Sequence, residues 1–313
     1  MSNKVISLFI KSTIAGLSLW YIYEKITGQG DHTTIIRELK TTFTDSTSLK
    51  LLLPLVLMFL NWSLEALKWK MIMEQVEPIT FTKALKAIIT GVTMSIFTPN
   101  RVGEFSGRIF FLKQENRKIA IPLTFLGNAS QLLVTLVAGT LALIVYLPVY
   151  TSLNSQPSIY YLIFLLVILV NIALILAYFN VSFLSRFWKY LEILNHYSFR
   201  QLSKIVSLSL FRYVIFSLQF YLLLQLFGIN INPSRAIIMI ALTFFSITVI
   251  PTITLTEPGV RGSAALTFIG LLSANTIGIV AATFSLWLIN IVFPAILGIV
   301  FLFQLKFFKS AND

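Results

Sequence analysis

Residues 159–179 contain no Asp, Glu, Lys or Arg, and five other stretches (4–23, 50–69, 119–147, 205–227 and 277–305) are nearly as apolar over comparable lengths. A helix crossing the roughly 30 Å hydrocarbon core of a bilayer needs about 20 such residues. Lipid offers the backbone no hydrogen bonds, so each stretch must satisfy its own N–H and C=O groups, and unbroken apolar runs do this as helices. Composition agrees. Only 12% of the chain is charged and 57% is hydrophobic, with a mean hydropathy of +0.84, whereas soluble domains carry about 25% charged residues. The expected fold is an all-α polytopic membrane protein, with residues 1–313 forming one integral membrane domain of about six full spans.

The residue inventory removes several kinds of chemistry. There is no Cys, and His32 and His196 are far apart and outside the apolar runs. Thiolate catalysis, disulfides, Cys-bound metals and a His-based metal site are therefore not expected, and neither is a cofactor. The net charge of +12 would suggest nucleic acid in a soluble protein. Here it fits an anionic membrane leaflet and the positive-inside rule, with no nucleic-acid partner. The N-terminal run resembles a signal peptide. However, Lys11 interrupts it and no small-x-small cleavage site follows, so it reads as a retained first span.

Two breaks stand out. Thr98-Pro99-Asn100-Arg101-Val102-Gly103-Glu104-Phe105-Ser106-Gly107-Arg108 follows an apolar run too short to span (84–98), and Thr256-Glu257-Pro258-Gly259-Val260-Arg261-Gly262 follows residues 237–253. Charges and irregular backbone at membrane depth are tolerated only where protein or a wet cavity surrounds them. Lys and Arg concentrate at 68–86, 113–118, 181–204 and 306–309, while 148–158 and 273–276 carry none. The positive-inside rule puts the first set, with both termini, on the cytoplasmic side of a cell membrane. That order works only if each break is the tip of a re-entrant hairpin that returns to its starting side. Two amphipathic surface helices are expected, within 24–49 and within 181–204. The succession span, hairpin, span at 50–147 recurs at 205–305 with opposite orientation, the pattern of an inverted repeat whose broken helices meet at a substrate site.

Arg101, Arg108 and Arg261 offer planar forks suited to phosphate. Gly103, Gly107, Gly259 and Gly262 allow close backbone approach. Glu104 and Glu257 can pair with these arginines, contact an aminated headgroup, or carry a coupling proton. Arg212, Asn128 and Gln131 are accessory candidates. For Arg212 the plainer expectation is bonding to neighbouring carbonyls, and for Asn128, Gln131, Gln219 and Asn290 it is interhelical hydrogen bonding. The first break could also sit at the cytoplasmic interface, where Pro, Asn and Gly simply cap and turn.

At these residues the chain resembles the lysylphosphatidylglycerol synthase transmembrane-region family, a flippase-like membrane domain. The resemblance rests on Thr98-Pro99-Asn100-Arg101-Val102-Gly103-Glu104 with Arg108, on the basic-Trp-basic end Lys68-Trp69-Lys70, and on Pro258-Gly259-Val260-Arg261. Three departures accompany it. Asn100 stands where Gly is usual. Ser263-Ala264-Ala265 replaces a Glu after the second break. Gly127, Asn128 and Gln131 replace charges early in the helix after the first motif. The resemblance implies lipid work: in fused members this domain flips aminoacylated phosphatidylglycerol, which a separate soluble domain makes. With the last span ending near Asp313, no aminoacyl-transfer domain and no enzyme activity are expected.

The expected function is a flippase for membrane lipids or lipid-linked precursors, binding an anionic phosphate headgroup between the two hairpins. Other readings are a proton-coupled solute transporter using Glu104 and Glu257, a membrane enzyme acting on lipid phosphates, and a noncatalytic partner of a separate lipid-modifying enzyme.

Overall fold

The computed structural model describes residues 20, 23–24, 45–96, 98, 102–151, 157–180, 189–250 and 257–302. The first span with Lys11, most of the first surface helix, Pro99-Asn100-Arg101 and the basic end at 306–309 lie outside them. All regular structure among the described residues is helical. The helices are α1 (Asp45–Met73), α2 (Phe81–Ile96), α3 (Gly103–Ile109), α4 (Arg117–Tyr150), α5 (Pro157–Phe179), α6 (Phe199–Leu226), α7 (Pro233–Val249), α8 (Glu257–Phe268), α9 (Thr276–Trp287) and α10 (Phe293–Leu302). The π turn Leu288–Val292 joins α9 to α10. Among the described residues, five stretches are long and apolar enough to cross a membrane: Leu51–Met73, Gln114–Tyr150, Pro157–Phe179, Phe199–Leu226 and Thr276–Leu302. They are the expected spans other than the first, and the chain is a multi-pass helical membrane protein.

The π turn has a local cause. Pro294 has no N–H, and its ring collides with the carbonyl four residues back, that of Asn290. The last span therefore widens just before Pro294, and Asn290 lies in the widened turn.

α1 and α6 run antiparallel, side by side. Along α1 the residues Pro54, Glu65 and Lys68 meet Gln219, Arg212 and Ser209 of α6, in descending order. On either side of this seam the pieces come in the same succession: a long helix, two short arms and another long helix. The arm α2 lies against α10, and the arm α7 against α4. Glycine makes both contacts close. A Cβ on Gly298 would run into Thr93 and the Ile89 carbonyl, and one on Gly139 would run into Phe245. Gly298 and Gly139 stand at the same step along their helices, counted from Thr276 and Arg117. Thr93 and Phe245 likewise stand at the same step from Phe81 and Pro233.

Each hairpin is clasped at its base. Glu77, before α2, accepts hydrogen bonds from the Lys113 N–H (3.0 Å) and Asn116 Nδ2 (3.0 Å), both after α3, and from Lys83 Nζ (2.9 Å). Asn275, after α8, donates to the carbonyl of Phe227, before α7 (3.2 Å), and caps α9 at the Gly278 N–H (2.8 Å). Entry and exit of each pair of arms therefore sit together, as re-entrant hairpins require.

Two sequence expectations shift. Lys68, counted among the loop bases, is buried within the bundle. In the expected second surface helix, Lys189–His196 forms a 3₁₀ turn, while Arg200 and Lys204 fall in the first turns of α6, whose capping box is Ser198 with Gln201. Residues 181–188 lie outside the described ones.

Burial works to raise the Glu77 carboxyl, but the hydrogen bonds from Asn116, Lys83 and the Lys113 N–H outweigh it and hold the group below the usual carboxylate range. A depressed folded value contributes stability above the ordinary range and loses it as pH falls through that folded value. Glu77→Gln is expected to lower thermal stability by about 1.5–3 kcal/mol at neutral pH, with the gap to the wild type closing in acid below the ordinary carboxylate range; melting curves across pH check this. The chain has no native Cys, so Glu74→Cys and Glu115→Cys are expected to react with an impermeant thiol reagent from one membrane face, and Ala274→Cys from the other.

Candidate functional site

The centre of the molecule is a buried ion cluster. Glu65, in the second half of α1 and 1% exposed, accepts from Lys68 Nζ (2.8 Å), Arg108 (3.0 Å) and Arg212 (2.8 Å). Arg108, also 1% exposed, pairs in addition with Glu104 one turn back along α3. Lys68 donates further to Ser209 Oγ (3.2 Å), which shares a hydrogen bond with Ser130 Oγ (2.7 Å). Arg212 stands halfway along α6, and its guanidinium lies over the Trp62 ring, 5.1 Å from the centroid. Eight residues separate Glu65 from the end of its span at Met73, roughly 12 Å of helix. Charge at that depth requires partners, and here α1, α3 and α6 supply them to one another.

Beside the cluster lies a cavity of about 320 Å³, lined by α1, α3, α4, α6, α7, α8, α9 and the π turn. Its charged lining is Glu104, Arg212 and Arg261; its amides are Asn61, Asn128, Gln131 and Asn290; Trp62, Trp287, Tyr213, Phe216 and Phe244 bring rings. Arg261 reaches it from α8, held through Nε by Glu257 (2.9 Å). Glu257 sits in the first turn of that helix, where a carboxylate meets the favourable end of the helix dipole. Asn290 joins Asn61 (3.4 Å) and Gln219 (2.9 Å), and Gln219 bonds the Pro54 carbonyl (2.7 Å). Gln219 and Asn290 thus do the interhelical bonding expected of them, and Asn61 and Asn290 also face the cavity.

The sequence-derived residues are only partly brought together. Glu104 from the first hairpin and Arg261 from the second line one cavity, joined by Arg212, Asn128 and Gln131. Arg101 lies outside the described residues. Arg108 sits behind Glu104, paired on both sides, and Glu257 sits behind Arg261; neither lines the cavity. Gly103 and Gly259 are buried away from it. The close approach expected of the first-break glycines is to protein. A Cβ on Gly107 would lie 2.5 Å from Gly91 Cα and 2.6 Å from its N, and one on Gly103 would strike the Met94 carbonyl. The Gly103 N–H is taken by Thr98 Oγ1 (2.7 Å). These glycines let α2 and α3 lie backbone to backbone.

Sequence reasoning passed over Glu65 and Lys68 because they stand near a span end that reads as a basic, aromatic boundary. A signal was present: Asn61, Glu65 and Lys68 recur at i, i+4 and i+7, one face of a helix.

A family model described as the lysylphosphatidylglycerol synthase TM region matches residues 8–298. The chain belongs to that family. Membership gives this membrane bundle a lipid-related role, and the matched region takes in α1, both hairpins and the whole cavity. A search of curated proteins found no match.

Removing one partner of a buried ion pair leaves the other charge stranded and costs about 3–5 kcal/mol. Glu65→Gln leaves Lys68 and Arg212 without a carboxylate and Arg108 with Glu104 alone, and is expected to cost at least that much, read as loss of folded protein on thermal challenge in detergent. Gly107→Ala is expected to cost about 1–3 kcal/mol through overpacking against α2, measured in the same assay.

Proposed function

We propose that this member of the lysylphosphatidylglycerol synthase TM region family is a transporter that moves a phospholipid, or a lipid-linked phosphate precursor, between leaflets of the cell membrane, with its termini on the cytoplasmic side. The observation that carries the reading is the charge around the cavity. Among the described residues, four cations (Lys68, Arg108, Arg212, Arg261) are joined to three carboxylates (Glu65, Glu104, Glu257), which leaves one positive charge over. A phosphodiester carries one negative charge, and Arg212 and Arg261 face the space where it would sit. The two hairpins and the long helices on both sides of the seam reach that space, so a bound headgroup would be held by both halves.

On this reading residues 50–147 and 205–305 form an inverted repeat. The antiparallel α1–α6 seam supports it, as do the matching Gly298–Thr93 and Gly139–Phe245 contacts and the Glu-x-x-x-Arg at the start of each returning arm, Glu104 to Arg108 and Glu257 to Arg261. Rocking of such halves exposes one site to each face in turn. The headgroup crosses inside the polar cavity, and the acyl chains stay in lipid. Transport rather than enzyme activity fits a lining without His or Cys and with its carboxylate committed to a guanidinium. That commitment also weighs against Glu104 as a free proton carrier.

The test is reconstitution into liposomes with fluorescent phospholipid and a leaflet-specific quencher. Wild-type protein is expected to speed equilibration between leaflets, and the Arg212→Gln, Arg261→Gln double variant to slow it at least tenfold. Glu65 in that variant keeps Lys68 and Arg108, so the fold should hold, as size-exclusion chromatography checks. A double variant as fast as the wild type would sink the proposed site.

A further inference from the structure

We propose that the cavity selects a lipid phosphodiester whose headgroup bears hydroxyls and no ammonium group, and that it discriminates against aminated and aminoacylated headgroups. This rests on the reading of the cavity as a lipid-headgroup site and concerns which headgroup it takes.

The first argument is charge. A buried ammonium needs a carboxylate or a ring of free acceptors. Glu65 already takes three cations, Glu104 takes Arg108, and Glu257 takes Arg261. The surplus of one positive charge is neutralised by an anionic phosphodiester. It is left standing by a zwitterionic headgroup, and it is doubled by a headgroup with a net positive charge, such as a lysylated one.

The second argument comes from the polar atoms around the cavity that have no hydrogen-bond partner. Trp62 Nε1, Trp287 Nε1 and Arg212 Nε are donors, Asn61 Oδ1 and Gln131 Oε1 are acceptors, and Tyr213 Oη can serve as either; all are buried. Unsatisfied buried groups gathered at one place call for a ligand or water to complete them. Phosphoryl oxygens can meet the donors only. The two acceptors need a ligand that donates, and charge rules out ammonium. A hydroxyl donates once and accepts twice, so a polyol esterified to phosphate answers both sets. The cavity volume of about 320 Å³ is at the small end of ligand sites, which run from about 300 to 1,000 Å³. That suits one glycerol or one cyclic polyol phosphate rather than an oligosaccharide.

The experiment uses the full chain in phosphatidylcholine nanodiscs doped in turn with phosphatidylglycerol, phosphatidylinositol, phosphatidic acid, phosphatidylethanolamine or lysylated phosphatidylglycerol. Lipid retained by the protein is measured by native mass spectrometry. The expected result is at least tenfold preference for phosphatidylglycerol or phosphatidylinositol over both amine-bearing lipids, and a smaller preference over phosphatidic acid. Whichever of the first two leads names the polyol. Arg261→Gln removes the surplus charge and takes the guanidinium from Glu257, so it is expected to raise retention of the lysylated lipid, a gain that mere structural damage would not produce. Gln131→Leu loses one of the two acceptors, and it is expected to weaken the polyol lipids while leaving phosphatidic acid unchanged. Wild-type retention of the amine-bearing lipids equal to or above that of the polyol lipids overturns the selectivity and leaves the headgroup site standing. Phosphatidic acid equal to phosphatidylglycerol overturns the hydroxyl requirement. Retention of none of the five above phosphatidylcholine overturns this inference together with the reading it rests on.

Discussion

One carboxylate holds the interior together. Glu65 is shared among Lys68, Arg108 and Arg212, contributed by the first long helix, the returning arm of a hairpin and the helix that runs antiparallel to the first. Each of the three cations would be costly at that depth without a partner. The arrangement therefore fixes the register of α1 against α6 and the height of α3 relative to both. It also aims Glu104 and Arg212 at the cavity, because Glu104 is held from behind by Arg108, a partner of Glu65, and Arg212 by Glu65 itself. Apolar packing around Trp69, Ile72, Ile88 and Leu123 on one side and around Phe220, Leu223 and Ile240 on the other encloses the cluster in two cores.

The cavity follows from the same economy of partners. Guanidinium groups at its wall are tethered, not loose, so they keep their forks oriented without a ligand present. The amides do double service. The chain of Asn61, Asn290, Gln219 and the Pro54 carbonyl binds three helices while presenting polar groups to the cavity. This explains how a bundle of apolar helices can enclose a polar space without losing cohesion.

Much of this was legible in the sequence, and the limits are instructive. Hydropathy located the spans because lipid demands about 20 apolar residues whatever their neighbours. Pro and Gly located the breaks because they act on their own backbone. Glu104 with Arg108 and Glu257 with Arg261 were visible as i, i+4 pairs. What the sequence could not disclose was which side of each helix faces which neighbour. Arg108 and Arg261 look alike in their breaks, yet one is sealed behind Glu104 and the other lines the cavity. Gly103 and Gly107 permit close approach, but only the fold shows that the approaching partner is α2. Glu65 and Lys68 read as a membrane boundary because charge near a span end usually marks one.

The widened turn at Leu288–Val292 sits where the last span borders the polar space, and it carries Asn290 inward. An ordinary helix transmits rotation along its length as a rod, since every carbonyl is tied to the next turn. A turn holding a surplus residue interrupts that tie, with Pro294 preventing its repair on the far side. The stretch that packs beside α8 and the stretch that seats Gly298 against the first hairpin are thus coupled through a loosened joint. The segment bridging both halves of the bundle is the one given room to flex.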